Sequence, residues 1–217
     1  MELVLGNMHF SILVVIVMLG AVVPSVFAEI SITDDSTGGD CTTIGTWDSA
    51  SKTCTLTSDV SDNIVIADDG IILDGNGHTL DIPQNSVGIY VENYGAITVK
   101  NFNFETTPTV YTNTGIYFKS DTNYLNKDNV IESNNFLGHT INTGIQMYVP
   151  YGDVYDTNAS TNFIIKNNYF ETRILAMAIS SYGGDQIFGN TIVGNSNPGD
   201  DAGIAINHFQ GASNEQT

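Results

Sequence analysis

The chain writes one seven-residue phrase four times, irregular in spacing but strict in register. "VKNFNFE" from Val99, "IESNNFL" from Ile131, "IKNNYFE" from Ile165 and "IFGNTIV" from Ile187 align without a gap. The first column holds Val99, Ile131, Ile165 and Ile187, and five residues on a second holds Phe104, Phe136, Phe170 and Ile192. Between them runs an asparagine column of Asn134, Asn168 and Asn190, with Phe102 as its exception. "LDGNGHTL" from Leu73 fits more loosely and puts Asn76 in that column. A second phrase alternates with the first: "GIYV" from Gly88, "GIYF" from Gly115, "GIQM" from Gly144 and "GIAI" from Gly203, with "MAIS" from Met177 as a degraded copy.

Successive repeats start 26, 32, 34 and 22 residues apart. Blades of fixed length would not vary so much, whereas coils joined by loops of variable length can. Apolar residues come in short bursts of Ile, Val, Phe and Tyr between Gly, Asn, Asp and Ser, which is strand and turn chemistry. The pattern predicts an all-β parallel β-helix. Successive turns stack like residues over like at about 4.8 Å, and inward columns form a core that no single coil could bury alone. The asparagines are expected at a tight corner, where they tolerate a left-handed backbone and pair their amides between coils. Gly88 and its equivalents are expected to mark another corner. Right-handed crossover is the default for parallel strands, and the six-residue beat of the left-handed type is missing. Lys100, Glu132 and Lys166 share one outward column and predict a ladder of alternating charge.

The first 28 residues stand outside this pattern. An apolar run from Phe10 to Val23, followed by "PSVFA", fits a secretory signal peptide cleaved after Ala28, although its first residues carry no Lys or Arg. The run is short against the roughly 20 apolar residues of a spanning helix. Cleavage leaves 23 acidic residues against 6 basic ones, a net charge of −17. Such a surface repels nucleic acid and anionic lipid. Cys41 and Cys54 flank a short polar loop containing Trp47, and in an exported chain they predict a disulfide. The expected organisation is a signal peptide over 1–28, a disulfide-stapled cap over 29–57, and coils over 58–217. The last coil, "GIAINHF", is not followed by a polar capping pattern, so a longer parent chain is expected.

"IVIADDGIILDGNGHTLDI" from Ile64, followed by the coils above, resembles the right-handed parallel β-helix proteins of the pectin-lyase-like class. The Thr- and Asp-rich opening with its paired cysteines is similar to secreted β-helix proteins of archaea. Many proteins of that class cut or bind polysaccharides. "GDDAGIAI" from Gly199 resembles the paired-Asp motif of polygalacturonases, which makes Asp200 and Asp201 the candidate catalytic carboxylates. A third acid should lie one coil earlier, near Ala178 or Ile179, and none is there; Asp185 and His208 fall at the wrong distance. A solvated turn, "NPGDD", is the competing explanation. Lyase chemistry of the Ca²⁺ type needs a basic residue, and the chain has only Arg173 and five lysines.

Calcium is conceivable at Asp34–Asp35, Asp68–Asp69, Asp153 with Asp156, or Asp200–Asp201, but no calcium-loop motif occurs, so no metal or cofactor is expected. Some β-helix proteins are linked to copper; His78, His139, His208, Met147 and Met177 are not close in sequence, and His78 suits a structural hydrogen bond. Tyr151 and Tyr155, in "VPYGDVYDTNAS", either stack on sugar rings or cover the flank of a coil. Asn158 in the same loop is a glycosylation acceptor. The functional expectation is a secreted or cell-surface module with a structural or carbohydrate-binding role. The alternative is a polysaccharide hydrolase or lyase with a divergent site at Asp200 and Asp201.

Overall fold

A computed structural model describes residues 29–106, 113–120, 126–148, 162–181, 184–194 and 203–208. The first stretch contains β1 (Ile30–Ile32), α1 (Cys41–Ile44), β2 (Gly45–Asp48) and β3 (Thr53–Leu56). Then follow β4 (Ile64–Ile66), β5 (Ile72–Asp74), β6 (Thr79–Ile82), β7 (Val87–Glu92), β8 (Thr98–Lys100) and β9 (Asn103–Thr106). The same order continues through β10 (Asn113–Lys119), β11 (Val130–Glu132), β12 (Asn135–Phe136), β13 (Ile141–Tyr148), β14 (Ile164–Lys166) and β15 (Tyr169–Phe170). It closes with β16 (Leu175–Ser181), β17 (Gln186–Phe188), β18 (Thr191–Ile192) and β19 (Gly203–His208).

From β4 onward the chain visits three sheets in rotation. The first sheet runs β1-β4-β7-β10-β13-β16-β19, the second β17-β14-β11-β8-β5-β3-β2, and the third β18-β15-β12-β9-β6. Every strand pair is parallel except β2 with β3, which is antiparallel. An all-β chain with long parallel sheets is compatible with a β-helical solenoid. Among the described residues no helix is long and apolar enough to cross a membrane.

The columns read from the sequence are the core. Cys54, Leu73, Val99, Ile131, Ile165 and Ile187 stand in register through the second sheet. Leu80, Phe104, Phe136, Phe170 and Ile192 do so through the third. Phe104, Phe136 and Phe170 stack with centroids 4.7 Å apart and planes 4° from parallel. That spacing is the separation of neighbouring strands, so the rings inherit their stack from the backbone. Asp74 with Lys100 at 3.3 Å and Glu132 with Lys166 at 2.8 Å form the outward charge ladder.

The asparagine column lies in the turn from the second sheet to the third, with Asn134 and Asn168 buried and Asn190 half-buried. The Oδ1 of Asn134 accepts the Phe102 N–H at 3.1 Å, and its Nδ2 donates to the Val99 carbonyl at 3.0 Å. Asn168 does the same for Asn134 and Ile131, and Asn190 for Asn168 and Ile165. The left-handed backbone falls one residue earlier, on Asn101, Ser133, Asn167 and Gly189. The corner therefore splits between two residues the tasks expected of one. Asn76 does not join the column. Leu73 pairs with Val99 and Thr79 with Asn103, so the first coil holds two extra residues here, and His78 takes the place opposite Phe102. Asn76 is left-handed in that longer turn and donates its amide to the Leu56 carbonyl at 3.3 Å.

The glycine phrase is also corrected. Gly88, Gly115 and Gly144 lie inside β7, β10 and β13, not at corners. A Cβ on Gly115 would come within 2.5 Å of the Phe136 ring and 2.6 Å of the Gly144 carbonyl oxygen; one on Gly144 would meet Phe170 and the Ala176 carbonyl, both at 2.7 Å. Next along that column stands Ala176, placing the degraded copy one residue before Met177, and in that coil the phenylalanine place holds the smaller Ile192.

Cys41 and Cys54 are bonded, with Cα atoms 5.8 Å apart, tying α1 to β3. The indole of Trp47 covers Gly38 and donates to the Asp35 carbonyl at 3.0 Å. This cap belongs to the winding, since β1 pairs with β4 and β3 with β5 in parallel. At the opposite end Phe188, Ile204 and Ile206 are exposed, Ile206 by 57%.

Candidate functional site

The first sheet has the longest strands, and its outward side carries aromatic residues. Alternation along each strand sends Ile89 and Val91 inward and Tyr90 and Glu92 outward. Register then stacks Tyr90 beside Tyr117 and Gln146, and Glu92 beside Lys119 and Tyr148. The column continues into Ala178 and Ala205, so the aromatic residues stand against a low neighbouring surface.

Hydrogen bonds and one ion pair fix Tyr90, Glu92 and Lys119. The Tyr90 hydroxyl donates to Glu92 Oε2 at 2.6 Å, and Glu92 Oε1 pairs with Lys119 Nζ from the next coil. Tyr90 and Tyr117 have ring centroids 5.7 Å apart and planes tilted by 58°. Tyr148 is 43% exposed. Partial burial, reinforced by Glu92, pushes the Tyr90 phenol up to about 12, and burial likewise raises Tyr117. Hydrogen bonding to Glu92 raises Lys119. The phenols therefore keep their protons well above neutral pH and act as hydrogen-bond groups. The Thr114 hydroxyl reaches Gln146 Oε1 at 3.5 Å. The ensemble offers tilted aromatic faces, phenols, an amide and an internally neutralised charge pair. Such a surface can stack on apolar C–H faces and hydrogen-bond hydroxyls.

A concavity of about 560 Å³ opens beside the third sheet, lined by Asp59, Val60, Ser61, Thr79, Asp81, Glu105 and Thr106. Asp81 and Glu105 are strand neighbours there. Another, of about 330 Å³, follows the corner at Asp74, Asn76, Asn101, Asn103, Ser133 and Asn135. Its amides are committed to the coil, Asn135 Nδ2 to Asn103 Oδ1 at 2.9 Å and Asn103 Nδ2 to the Gly77 carbonyl at 2.8 Å.

The residues singled out from sequence fare differently. Asp200, Asp201, Tyr151, Tyr155, Asn158, Asp153 and Asp156 lie outside the described residues. Asp34 meets Lys52 Nζ at 2.5 Å, Asp68 accepts the Asp34 N–H at 2.8 Å, and Asp69 accepts the Gly95 N–H at 2.6 Å. Asp35 caps its own turn through Thr37 and Gly39. Those carboxylates hold loops together, and among the described residues no three His, Cys, Asp or Glu side chains gather as a metal site. His78 lies 3.3 Å from Asp59, which also accepts the Thr79 N–H. Met147 and Met177 are buried in the core.

No match emerges from protein-family models, curated proteins or solved structures. Residue chemistry therefore carries the functional reading alone. The outward column changes residue from coil to coil, from Tyr90 and Tyr117 to Gln146, Ala178 and Ala205, so the sequence shows no uniform series there. The usable signal was the third place of "GIYV" and "GIYF", which alternation turns outward.

Proposed function

We propose that the chain is an exported, cell-surface carbohydrate-binding module built on a right-handed coil of the pectin-lyase-like kind. The carrying observation is the outward cluster of Tyr90, Tyr117 and Tyr148 with its Glu92–Lys119 pair on the longest sheet. Half-buried rings such as Tyr117, and Tyr90 with its hydroxyl tied to Glu92, lose little conformational entropy on binding, which favours recognition. The three-sheet parallel winding supports the class, and the default crossover of parallel strands supports its hand. The apolar leader followed by a disulfide-bonded cap supports export.

The test is affinity electrophoresis of the mature chain through gels containing soluble polysaccharides, run beside a reducing-sugar assay. Retardation without turnover is expected, and Tyr117→Ala should weaken it. Turnover lost in the double variant Asp200→Asn with Asp201→Asn would replace this reading with the hydrolytic one.

A further inference from the structure

We infer that the Tyr90–Tyr117–Tyr148 face selects uncharged glycans and rejects polyuronates and sulfated chains. The inference rests on the carbohydrate-binding reading above and adds the ligand's charge to it. Carboxylate or sulfate groups on a sugar are recognised by cations able to donate directional hydrogen bonds, Arg above all. The chain has six basic residues: Lys52, Lys100, Lys119, Lys127, Lys166 and Arg173. Lys52 is bound to Asp34 in the cap, and Lys100 and Lys166 are bound to Asp74 and Glu132 on the second sheet. Lys127 precedes β11 at the corner entering the second sheet, and Arg173 follows β15 at the corner leaving the third.

Only Lys119 stands on the aromatic face, and its charge is held by Glu92, which also accepts the Tyr90 hydroxyl. A glycan carboxylate would have to displace a tethered carboxylate already in place. It would do so on a mature chain of net charge −17, whose field lowers the local concentration of polyanions. A neutral pyranose meets neither obstacle, since its C–H face contacts the rings and its hydroxyls reach the phenols and Gln146. Tyr90 and Tyr117 occupy adjacent coils, about 4.8 Å apart along the axis. That rise is close to the length of one pyranose in an extended chain, so a glycan lying across the strands would meet one coil per sugar.

The experiment measures mature chain against hydroxyethylcellulose and galactomannan as neutral probes, and against polygalacturonate and alginate as acidic ones, at physiological salt. The expected result is binding to a neutral probe at least roughly tenfold tighter than to either acidic one. Tyr148→Ala, an exposed position, should weaken neutral binding severalfold with an unchanged unfolding midpoint. Glu92→Gln, which releases Lys119, should raise affinity for polygalacturonate. Equal or tighter binding of the acidic probes by the unaltered chain overturns the charge selection while leaving glycan binding standing. Binding to neither class overturns the carbohydrate reading itself, and the inference with it. Neutral binding indifferent to both Tyr148→Ala and Tyr117→Ala would place recognition elsewhere and overturn the inference.

Discussion

Asn168 accepts the backbone N–H of Asn134 on its side-chain oxygen at 3.0 Å and gives its side-chain nitrogen to the Ile131 carbonyl at 2.9 Å. Both partners belong to the preceding coil, and the amide is buried. Removing the amide strands a donor and an acceptor away from water, which costs about 1–3 kcal/mol per group left unmet. Asn168→Ala should lower the urea midpoint accordingly with little change in slope. Asn135→Ala, one place along but exposed, should cost much less; equal losses would deny the ladder its role.

Gly115 tests packing. With Phe136 at 2.5 Å and a neighbouring carbonyl at 2.6 Å from the position of an added Cβ, Gly115→Ala should destabilise by about 1–3 kcal/mol. Pairing it with Phe136→Leu should recover part of that loss, because Ala176 coexists with Ile192 in the later coil. Gly203→Ala, where nothing lies within 4 Å, should be close to neutral in chemical denaturation.

The Cys41–Cys54 bond closes a short loop over a sequence separation of 13. The chain-entropy account gives about 3 kcal/mol for such a loop. Cys54 also sits in the inward column with Leu73, so a Cys41→Ala, Cys54→Val pair isolates the cross-link better than alanine at both positions. Calorimetry should show a single lower transition.

Acid should weaken the fold through its turns. Backbone N–H groups of Gly39 and Thr37 hold Asp35 well below the usual carboxylate range, Ser51 lowers Asp48, and the Thr79 N–H lowers Asp59. A depressed carboxyl stabilises the native state above its unfolded value and loses that contribution as pH falls toward its native one. Tm should therefore hold from neutrality to about pH 5 and decline below about pH 4. Asp35→Asn should flatten part of the decline; an unchanged slope would count against the turn.

At alkaline pH the sign reverses. Tyr90 ionises near 12 in the fold against about 10 when exposed, so its contribution is complete below 10 and fades between the two values. Ultraviolet titration should resolve a late-ionising tyrosine that Tyr90→Phe removes. Glu92→Gln should move that late step only part of the way down, because burial is the larger cause.

The sequence disclosed what every coil must keep: Ile and Val in one column, Phe in another, and the Asn134–Asn168–Asn190 series. Selection for like-on-like stacking writes those residues again and again. It concealed positions whose neighbours change. Two extra residues at Asn76 and Gly77 displaced the first coil's alignment, and the glycine column answered to ring size rather than to turn geometry. A second corner was hidden altogether. Ala96, Asp128 and Asn162 share a left-handed backbone there, followed by Ile97, Asn129 and Phe163; Asn129 Oδ1 accepts the Ile97 N–H at 2.9 Å, and Asp185 Oδ1 accepts the Phe163 N–H at 2.8 Å. Mixed residue types at that corner leave no visible column.

The asparagine ladder also has an arrow. Asn134 secures the backbone N–H of Phe102, Asn168 that of Asn134, and Asn190 that of Asn168, so each N–H in this column is met from the following coil, while the amides also pair with one another. At these three positions the turn's backbone N–H finds its acceptor only once the succeeding coil is in place. For a polypeptide threaded through a pore starting from its N-terminus, every arriving coil acts as the latch on the one before, and closure follows the order of delivery.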